Sequence, residues 1–148
     1  MSQAIPHDPN CLFCKIVRGE IPSAIVLETD VAVAFLDIHP VNKGHVLLVP
    51  RAHHENLMDL DDSIAAATAR LLPRLCRAVK LFAGADGFNV IINNGEVAGQ
   101  TINHGHWHVI PRRKDDAVRW PWPHQSYLGE ELVQTRDAII RELNLASV

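Results

Sequence analysis

One long run of the sequence constrains the fold more than any other feature. Between Asp61 and about Ala83, apolar residues recur every three or four positions, which predicts an amphipathic helix with one buried face. Asp61 and Asp62 supply an N-cap and a first-turn acid for its start. Pro73 lies inside the run and should kink the helix, because proline removes an amide donor and crowds the preceding turn.

The other apolar runs are short and predict strands. Four of them are separated by turn-forming residues: 24–28, 31–36, 44–49 and 88–92. Residues 101–110 are interpreted as a fifth strand, and residues 129–143 as a C-terminal helix. Short connections favour antiparallel neighbours, so we expect an α+β fold with an antiparallel sheet of about five strands, a long helix and a C-terminal helix. We expect one domain, 1–148, that begins with a flexible N-terminal arm at residues 1–10.

The composition excludes several classes of protein. A formal net charge of −3 provides no broad basic surface, so nucleic acid is not expected as a partner. No apolar run approaches the roughly 20 residues of a membrane-spanning helix, so a membrane is not expected either. Three cysteines make an odd and sparse set for a disulfide framework, which favours a cytoplasmic protein. Nine histidines exceed what packing requires and indicate chemistry.

Three of these histidines, His104, His106 and His108, alternate along the predicted fifth strand. Successive side chains of a strand point to opposite faces, so the three imidazoles would share one face. Residue chemistry leaves three interpretations open: a solvated polar face, a metal site, or an imidazole that attacks phosphorus or a carbonyl carbon. Residues 93–101 are rich in amide and hydroxyl groups, which can hold a phosphate without net positive charge and therefore favour the nucleophile.

The sequence GQTINHGHWHVIPR, residues 99–112, resembles the signature of the histidine triad (HIT) family of nucleotide hydrolases and transferases, His-φ-His-φ-His-φ-φ with φ apolar. Three further segments are similar to the family's in the same order: CLFCKI (11–16), FLDI (35–38) and GHVLLVP (44–50). The resemblance implies a HIT-like fold and cleavage at the α-phosphate of a purine nucleotide conjugate, a phosphoramidate or a dinucleoside polyphosphate. The implied intermediate is a nucleotidyl-histidine, and the product is the nucleoside monophosphate. Gly105 departs from the pattern, which has an apolar residue there.

The same resemblance implies catalytic roles for four residues. His106 would be the nucleophile, and His108 and His45 would contact the phosphate and stabilise its charge. Thr101 would relay a proton to the leaving group. Neutral imidazole is nucleophilic near neutral pH, so the assignment agrees with the chemistry of the side chain.

Further residues would bind the nucleotide. Asp37 would accept hydrogen bonds from the ribose hydroxyls, and Asn93 and Gln100 would donate to the phosphate or the leaving group. An apolar slot for the base would consist of Phe13, Ile16, Phe35 and Ile38. Taken singly, each slot residue is more often part of a core than of a pocket, and Asp37 before Pro40 is also typical of a turn.

The resemblance also implies a structural zinc ion. Its ligands would be Cys11, Cys14, His53 and His104, a normal donor set for tetrahedral zinc. His54 is the adjacent alternative to His53, and a protein without metal is the simpler alternative. The implied assembly is a homodimer. The segment RWPWP, residues 119–123, would contact a partner, shape the leaving-group site or pack on its own domain.

Two other functions remain open from the sequence. A regulatory module could bind nucleotide in the same pocket without turning it over. A metallohydrolase could use His104, His106 and His108 together as ligands of one catalytic zinc ion. The complete triad favours the hydrolase that uses a histidine nucleophile, because a module that only binds has no need of His106.

Overall fold

Five strands form one antiparallel sheet in the computed structural model, which describes residues 4–145. The strands are β1 (Ile25–Glu28), β2 (Ala32–Leu36), β3 (Val46–Pro50), β4 (Gly87–Ile92) and β5 (Trp107–Arg112). The helices are α1 (Leu12–Val17), α2 (Asp62–Ala69), α3 (Leu72–Ala83) and α4 (Glu131–Leu145), and two 3-10 turns span Leu57–Asp59 and Glu96–Ala98. The strand order β1-β2-β3-β5-β4 confirms the predicted α+β class. No helix within the described range is long and apolar enough to cross a membrane.

The sheet is buried on both faces at its centre, which explains why β2 and β3 are continuously apolar. Alternate side chains such as Leu36 and Leu48 enter a core beneath α3 and α4. The intervening residues, including Phe35 and Leu47, pack on the other face against α1. The site described below lies on the α1 face, where the helix leaves one end of the sheet uncovered.

The prediction of one kinked helix over residues 61–83 was wrong. Asp61 does cap a helix, since its Oδ1 accepts hydrogen bonds from the amides of Ser63 (2.8 Å) and Ile64 (3.3 Å). That helix, α2, ends at Ala69, and α3 begins only at Leu72. Pro73 lies in the first turn of α3, where its missing amide removes no hydrogen bond, so the proline begins a second helix.

The predicted fifth strand is also shorter than expected. β5 begins at Trp107, so His104 and His106 precede the regular strand. Instead, the amide of Gly105 donates to the carbonyl of His54 (2.9 Å). At its other end β5 continues through Pro111, where it pairs with β4 alone and needs no second donor.

The described part of the predicted N-terminal arm, residues 4–10, contacts the rest of the chain. The carbonyl of Pro6 accepts a hydrogen bond from the amide of His53 (2.8 Å), and the amide of Asp8 donates to Sγ of Cys14 (3.4 Å). Residues 1–3, at the start of the arm, lie outside the described residues. Whether the arm is flexible stays a prediction.

Candidate active site and metal cluster

Most of the predicted site residues meet at one cavity. It has a volume of about 920 Å³ and lies beside the ends of β2 and β5. Its walls include the predicted residues Phe13, Ile16, Phe35, Asp37, Ile38, Thr101, His106 and His108. Folding therefore brings together residues that are nearly 100 positions apart in the sequence. The arrangement gives the cavity one apolar end and one end lined by imidazoles.

His106 presents a defined ring nitrogen to this cavity. Its Nδ1 lies 2.7 Å from the carbonyl oxygen of His104, which can only accept a hydrogen bond. The proton is therefore on Nδ1, and Nε2 keeps its lone pair. Burial lowers the pKa of His106, so the ring is neutral near pH 7. Among residues 4–145 no hydrogen-bond partner meets Nε2, which leaves it available to a ligand.

His45 and His108 form a chain of hydrogen bonds that fixes both tautomers. The amide of Val41 donates to Nδ1 of His45 (3.2 Å), so the proton of His45 is on Nε2. That Nε2 lies 2.9 Å from Nδ1 of His108, which must then accept. The proton of His108 is consequently on its own Nε2. His108 offers an N–H donor beside the lone pair that His106 offers.

Burial keeps both of these rings neutral. It lowers the pKa of His108 to about 3, with a smaller contribution from His106 nearby. It also lowers the pKa of His45 well below its usual range. His45 is sealed from solvent and does not line the cavity, so it acts through His108. The predicted direct contact of His45 with phosphate is not what this geometry shows.

Asp37 lies immediately after β2, on the cavity wall. Its Oδ1 accepts a hydrogen bond from the amide of His39 (2.9 Å), and its Oδ2 lies 3.7 Å from Nδ1 of His45. Burial raises the pKa of Asp37 from its usual value. Since Nδ1 of His45 already accepts from Val41, Oδ2 has no proton donor there and can accept from a ligand.

The apolar end of the cavity is made from the core itself. The ring of Phe13 meets Phe35 edge-on, with centroids 5.4 Å apart, and it meets His106 in the same way at 5.0 Å. Phe13, Ile16 and Phe35 also belong to the buried cluster beneath α1, so they are both core and pocket wall. Ile38 is exposed at the rim. The predicted slot and the simpler core interpretation thus describe the same side chains.

The structure does not bring the amide groups of Gln100 and Asn93 to the cavity wall. Nε2 of Gln100 donates to the carbonyls of Glu55 (2.5 Å) and Ile102 (3.0 Å), and its Oε1 accepts from the amide of Gly95 (2.7 Å). Nδ2 of Asn93 donates to the carbonyl of Gly99 at 3.4 Å. These side chains hold the loop that precedes Thr101, which differs from the direct phosphate contact expected from the sequence.

Cys11, Cys14, His53 and His104 converge beneath the triad. Their ligand atoms all lie within 4.8 Å of one another. Nδ1 of His104 is 3.5 Å from Sγ of Cys11 and 3.6 Å from Sγ of Cys14, which in turn is 3.3 Å from Nδ1 of His53. Nε2 of His104 lies 2.8 Å from the carbonyl oxygen of Pro50 and therefore carries the proton, so the lone pair on Nδ1 faces the sulfur atoms.

These four residues fit a zinc ion on chemical grounds. Two sulfurs and two imidazole nitrogens are a normal tetrahedral set, and a carbonyl orients one of the imidazoles. Burial raises the pKa of Cys14 to about 11, so a cation is needed to hold it as a thiolate. His54 is not part of the cluster, because its Nδ1 donates to the carbonyl of Ala52 (3.0 Å) and its ring turns toward Gly105. The sequence had left His53 and His54 as alternatives.

Comparison with known proteins identifies the family. Residues 18–115, more than half of the chain, match the family model for the HIT domain. The chain belongs to the HIT family. Protein hit of Bacillus subtilis is 40% identical over 137 residues, which cover 90% of this chain and 94% of that protein. Adenosine 5′-monophosphoramidase of Saccharomyces cerevisiae is 40% identical over 124 residues, which cover 82% and 76% of the two chains.

The fold is also that of solved HIT proteins. A zinc-bound histidine triad family protein from Mycobacterium smegmatis superposes with a TM-score of 0.83 at 32% identity, over 93% of this chain and 96% of that one. The HIT match begins after α1, so Cys11 and Cys14 lie outside it. Both histidines of the cluster, His53 and His104, lie inside the match.

A tryptophan pair beyond the HIT match also contacts the triad. Trp122 lies edge-on to His108, with centroids 5.2 Å apart, and to His45 at 6.5 Å. Trp120 packs on Trp122 at 5.4 Å, and a side chain at Gly99 would collide with it. Of the three alternatives left by the sequence, packing on its own domain is what this single chain shows. The cluster of aromatic residues and prolines in RWPWP marked this segment in the sequence, but the sequence did not predict which residues it contacts.

The tryptophan segment is held to the loop after β2 by hydrogen bonds to the backbone of that loop. The amide of Gln125 donates to the carbonyl of Pro40 (2.7 Å), and Nδ1 of His124 lies 3.1 Å from the carbonyl oxygen of His39. The hydroxyl of Tyr127 accepts from the amide of Gly44 at 3.1 Å. Trp122 is thereby fixed against one flank of His108 and limits how that ring can turn.

Proposed function

We propose that this HIT protein hydrolyses a purine nucleotide conjugate at the α-phosphate through a covalent nucleotidyl-His106 intermediate. The observation that carries the proposal is the unpartnered Nε2 lone pair of His106 at the cavity wall, fixed by the hydrogen bond of Nδ1 to the His104 carbonyl. The yeast relative at 40% identity is named adenosine 5′-monophosphoramidase, which supports an adenylate phosphoramidate as the substrate. A dinucleoside polyphosphate presents the same α-phosphate.

The reaction proceeds in two displacements. Nε2 of His106 attacks phosphorus, and as that bond forms, the bond from phosphorus to the leaving group breaks. The leaving amine takes a solvent proton relayed by the hydroxyl of Thr101, which lies on the cavity wall. Water then attacks phosphorus and gives one proton back to solvent, the bond to Nε2 breaks, and the nucleoside monophosphate leaves with the imidazole neutral again. The His104 carbonyl holds the Nδ1 proton throughout, and the N–H of His108 stabilises the charge on the phosphate.

The nucleoside occupies the apolar end of the cavity. Oδ2 of Asp37 accepts hydrogen bonds from the ribose hydroxyls, because no donor among residues 4–145 uses it. The base lies against Phe13, Ile16 and Phe35, whose apolar surfaces suit a flat purine. A slot of this kind reads the shape of a purine more than its polar edges.

The proposal includes a structural zinc ion, held by Cys11, Cys14, His53 and His104. The four donors would leave no position for a reactive water, so the metal they hold would supply structural stability and no catalytic chemistry. A zinc-bound structure from the same family supports this assignment. The ion would link α1 to the segment that carries His106 and thereby hold Phe13 beside it.

A homodimer of this chain in the cytoplasm is part of the proposal. Strand β4 is at the edge of the sheet, and its side chains Phe88 and Val90 are 43% and 40% exposed. An unpaired, apolar strand edge favours pairing with another chain, and a second copy offers the same edge. None of the three cysteines, which all lie in the described part of the chain, forms a disulfide, in keeping with a reducing compartment.

The two alternative functions fit the geometry less well. A regulatory module that only binds nucleotide has no use for a neutral imidazole whose lone pair is fixed toward the ligand. A catalytic zinc ion on all three triad histidines needs their ring nitrogens at one point. Here Nδ1 of His104 faces the cysteines, Nδ1 of His106 is hydrogen-bonded to a carbonyl, and Nδ1 of His108 is hydrogen-bonded to His45. The three rings therefore do not direct these nitrogens to one point.

Intact-protein mass spectrometry during turnover of adenosine 5′-phosphoramidate tests the proposal. We expect a transient mass gain of one adenylyl group, mapped to His106, together with release of AMP. His106→Asn should abolish both signals, whereas His7→Gln, at an exposed histidine that does not line the cavity, should change neither. Release of AMP by His106→Asn at the wild-type rate would refute the mechanism. Nucleotide binding without any AMP release by the wild type would favour the regulatory module.

A further inference from the structure

Gly105, the departure from the family pattern, is explained by a collision with one side chain. A Cβ atom built on Gly105 would lie 2.4 Å from Nε2 of His54 and 2.9 Å from its Cδ2. Real Cβ atoms essentially never lie so close to a non-bonded atom, so a side chain at position 105 would require the buried ring of His54 to move. The backbone of Gly105 does not have a positive φ, so its conformation suits alanine, and the three atoms nearest to the added Cβ all belong to the ring of His54.

His54 is an unusual occupant for this space. It is only 4% exposed, and its Nε2 is buried without a hydrogen-bond partner among the described residues. Burying a polar nitrogen without a partner is unfavourable. Its Nδ1 donates to the carbonyl of Ala52, which holds the ring in one orientation, with its centroid 5.5 Å from that of His104. The ring therefore contributes shape rather than hydrogen bonding at its Nε2 end.

The same residue also holds the backbone at this point. The carbonyl of His54 accepts the hydrogen bond from the amide of Gly105 (2.9 Å). The peptide so held joins His104 to Gly105, and its own carbonyl is the group that accepts the Nδ1 proton of His106 (2.7 Å). Both the ring and the carbonyl of His54 thus act on the peptide that sets the orientation of the nucleophile.

We propose that His54 is a positioning residue for His106 and that it forms a matched pair with Gly105. The ring of His54 takes the volume that the apolar residue of the family pattern would occupy. It also fixes the peptide between His104 and Gly105, whose carbonyl accepts the hydrogen bond from His106. The proposal rests on the proposed function in so far as His106 is the nucleophile. Misplacing a reacting group by about 1 Å can reduce a rate about 100-fold. The pair therefore affects turnover more than nucleotide binding, since Asp37 and the base slot lie elsewhere on the cavity wall.

A double-mutant cycle with a matched glycine control tests the pair. The proteins are wild type, Gly105→Ala, His54→Ala, the double variant, and Gly87→Ala, where a Cβ meets nothing within 4 Å. With adenosine 5′-phosphoramidate, Gly105→Ala should lower kcat about 100-fold and change KM less than about threefold. His54→Ala should lower kcat about tenfold, the double variant should recover to within about tenfold of wild type, and Gly87→Ala should match wild type.

A spectroscopic readout separates this proposal from the proposed function. The ¹⁵N and proton signals of Nδ1 in His106 report its hydrogen bond to the His104 carbonyl, whether or not the chain turns over substrate. We expect Gly105→Ala to shift or broaden these signals and the double variant to restore them. A wild type that releases no AMP but shows this pattern would overturn the proposed function alone.

Three results would overturn the pairing. One is wild-type kcat and wild-type His106 signals in Gly105→Ala. Another is a double variant that stays as impaired as Gly105→Ala. If Gly105→Ala does not fold, His54→Ala decides, and unchanged kcat together with unchanged His106 signals in that variant would exclude a positioning role.

Discussion

Two groups of histidines lie side by side in this protein and differ in which ring nitrogen is occupied. In the metal cluster, His104 is held at Nε2 by the carbonyl of Pro50 and turns its Nδ1 toward two sulfur atoms. In the active site, His106 is held at Nδ1 by the carbonyl of His104 and turns its Nε2 toward the cavity. One region is closed by its own ligands, and the other is open to a substrate.

The comparison shows that the role of an imidazole is set by the carbonyl it meets. His104 and His106 are the same residue type, two positions apart, and both are neutral because burial lowers their pKa values. A carbonyl on one nitrogen places the proton there and leaves the lone pair on the other. The backbone thereby prepares His104 for the proposed role of metal ligand and His106 for the proposed role of nucleophile.

The largest expected effect separates the two regions by activity. His106→Asn should lower AMP release by at least about 1,000-fold, as expected when a nucleophile is removed. Its metal content should stay at the wild-type value, because His106 contributes no atom to the cluster. Steady-state kinetics and elemental analysis of the same preparation measure both. Loss of metal in this variant would show that the two regions are not separable.

The reverse experiment removes a ligand of the cluster. Cys14→Ser should lose the bound zinc and lower the free energy of unfolding by roughly 3 kcal/mol or more, because metal binding is coupled to folding. Cys76→Ser is the matched control, since Cys76 is a buried cysteine of α3 outside the cluster. Elemental analysis and urea unfolding are the measurements. Equal metal content in the two variants would argue against the cluster as the zinc site.

A smaller effect is expected at the ribose end of the open region. Asp37→Asn should raise KM about tenfold with little change in kcat, because hydrogen bonds to a charged acceptor are about 1–2 kcal/mol stronger than neutral ones. A substrate lacking both ribose hydroxyls should bind wild type and variant equally. A KM for that substrate which still differs tenfold would place Asp37 in a different role.

The last expected effect concerns acid stability. The pKa of His108 falls from 6.5 to about 3 on folding, so between these values the unfolded chain binds a proton that the folded chain does not. Stability should therefore fall as the pH drops through this window, by about 1.4 kcal/mol per pH unit for one such group. His108→Gln should reduce that slope, measured by urea unfolding from pH 6.5 to 4.5. Parallel curves for the two proteins would contradict the assigned burial of charge.

The sequence predicted the fold class and the cavity better than the local contacts. Alternation and the Gly-Gln-Thr lead predicted that His106 and His108 share one face beside a phosphate, and both side chains line the same cavity. They do so although His104 and His106 lie outside the regular strand. Gln100 was expected at the phosphate because its amide is a good donor. It instead satisfies two backbone groups of its own loop, at Gly95 and Ile102, and the carbonyl of Glu55 in a distant segment, and only the folded structure determines that. The collision of His54 with position 105 likewise depends on two segments that are distant in sequence.

The six residues of α1 have a practical consequence for anyone who trims this protein. The family match begins at residue 18, and a boundary drawn there would look safe for expressing a minimal fragment. Such a fragment would lack both cysteines of the cluster together with Phe13, whose ring contacts His106 and Phe35. Expression boundaries for this protein therefore belong upstream of Asp8, whose amide already contacts Cys14.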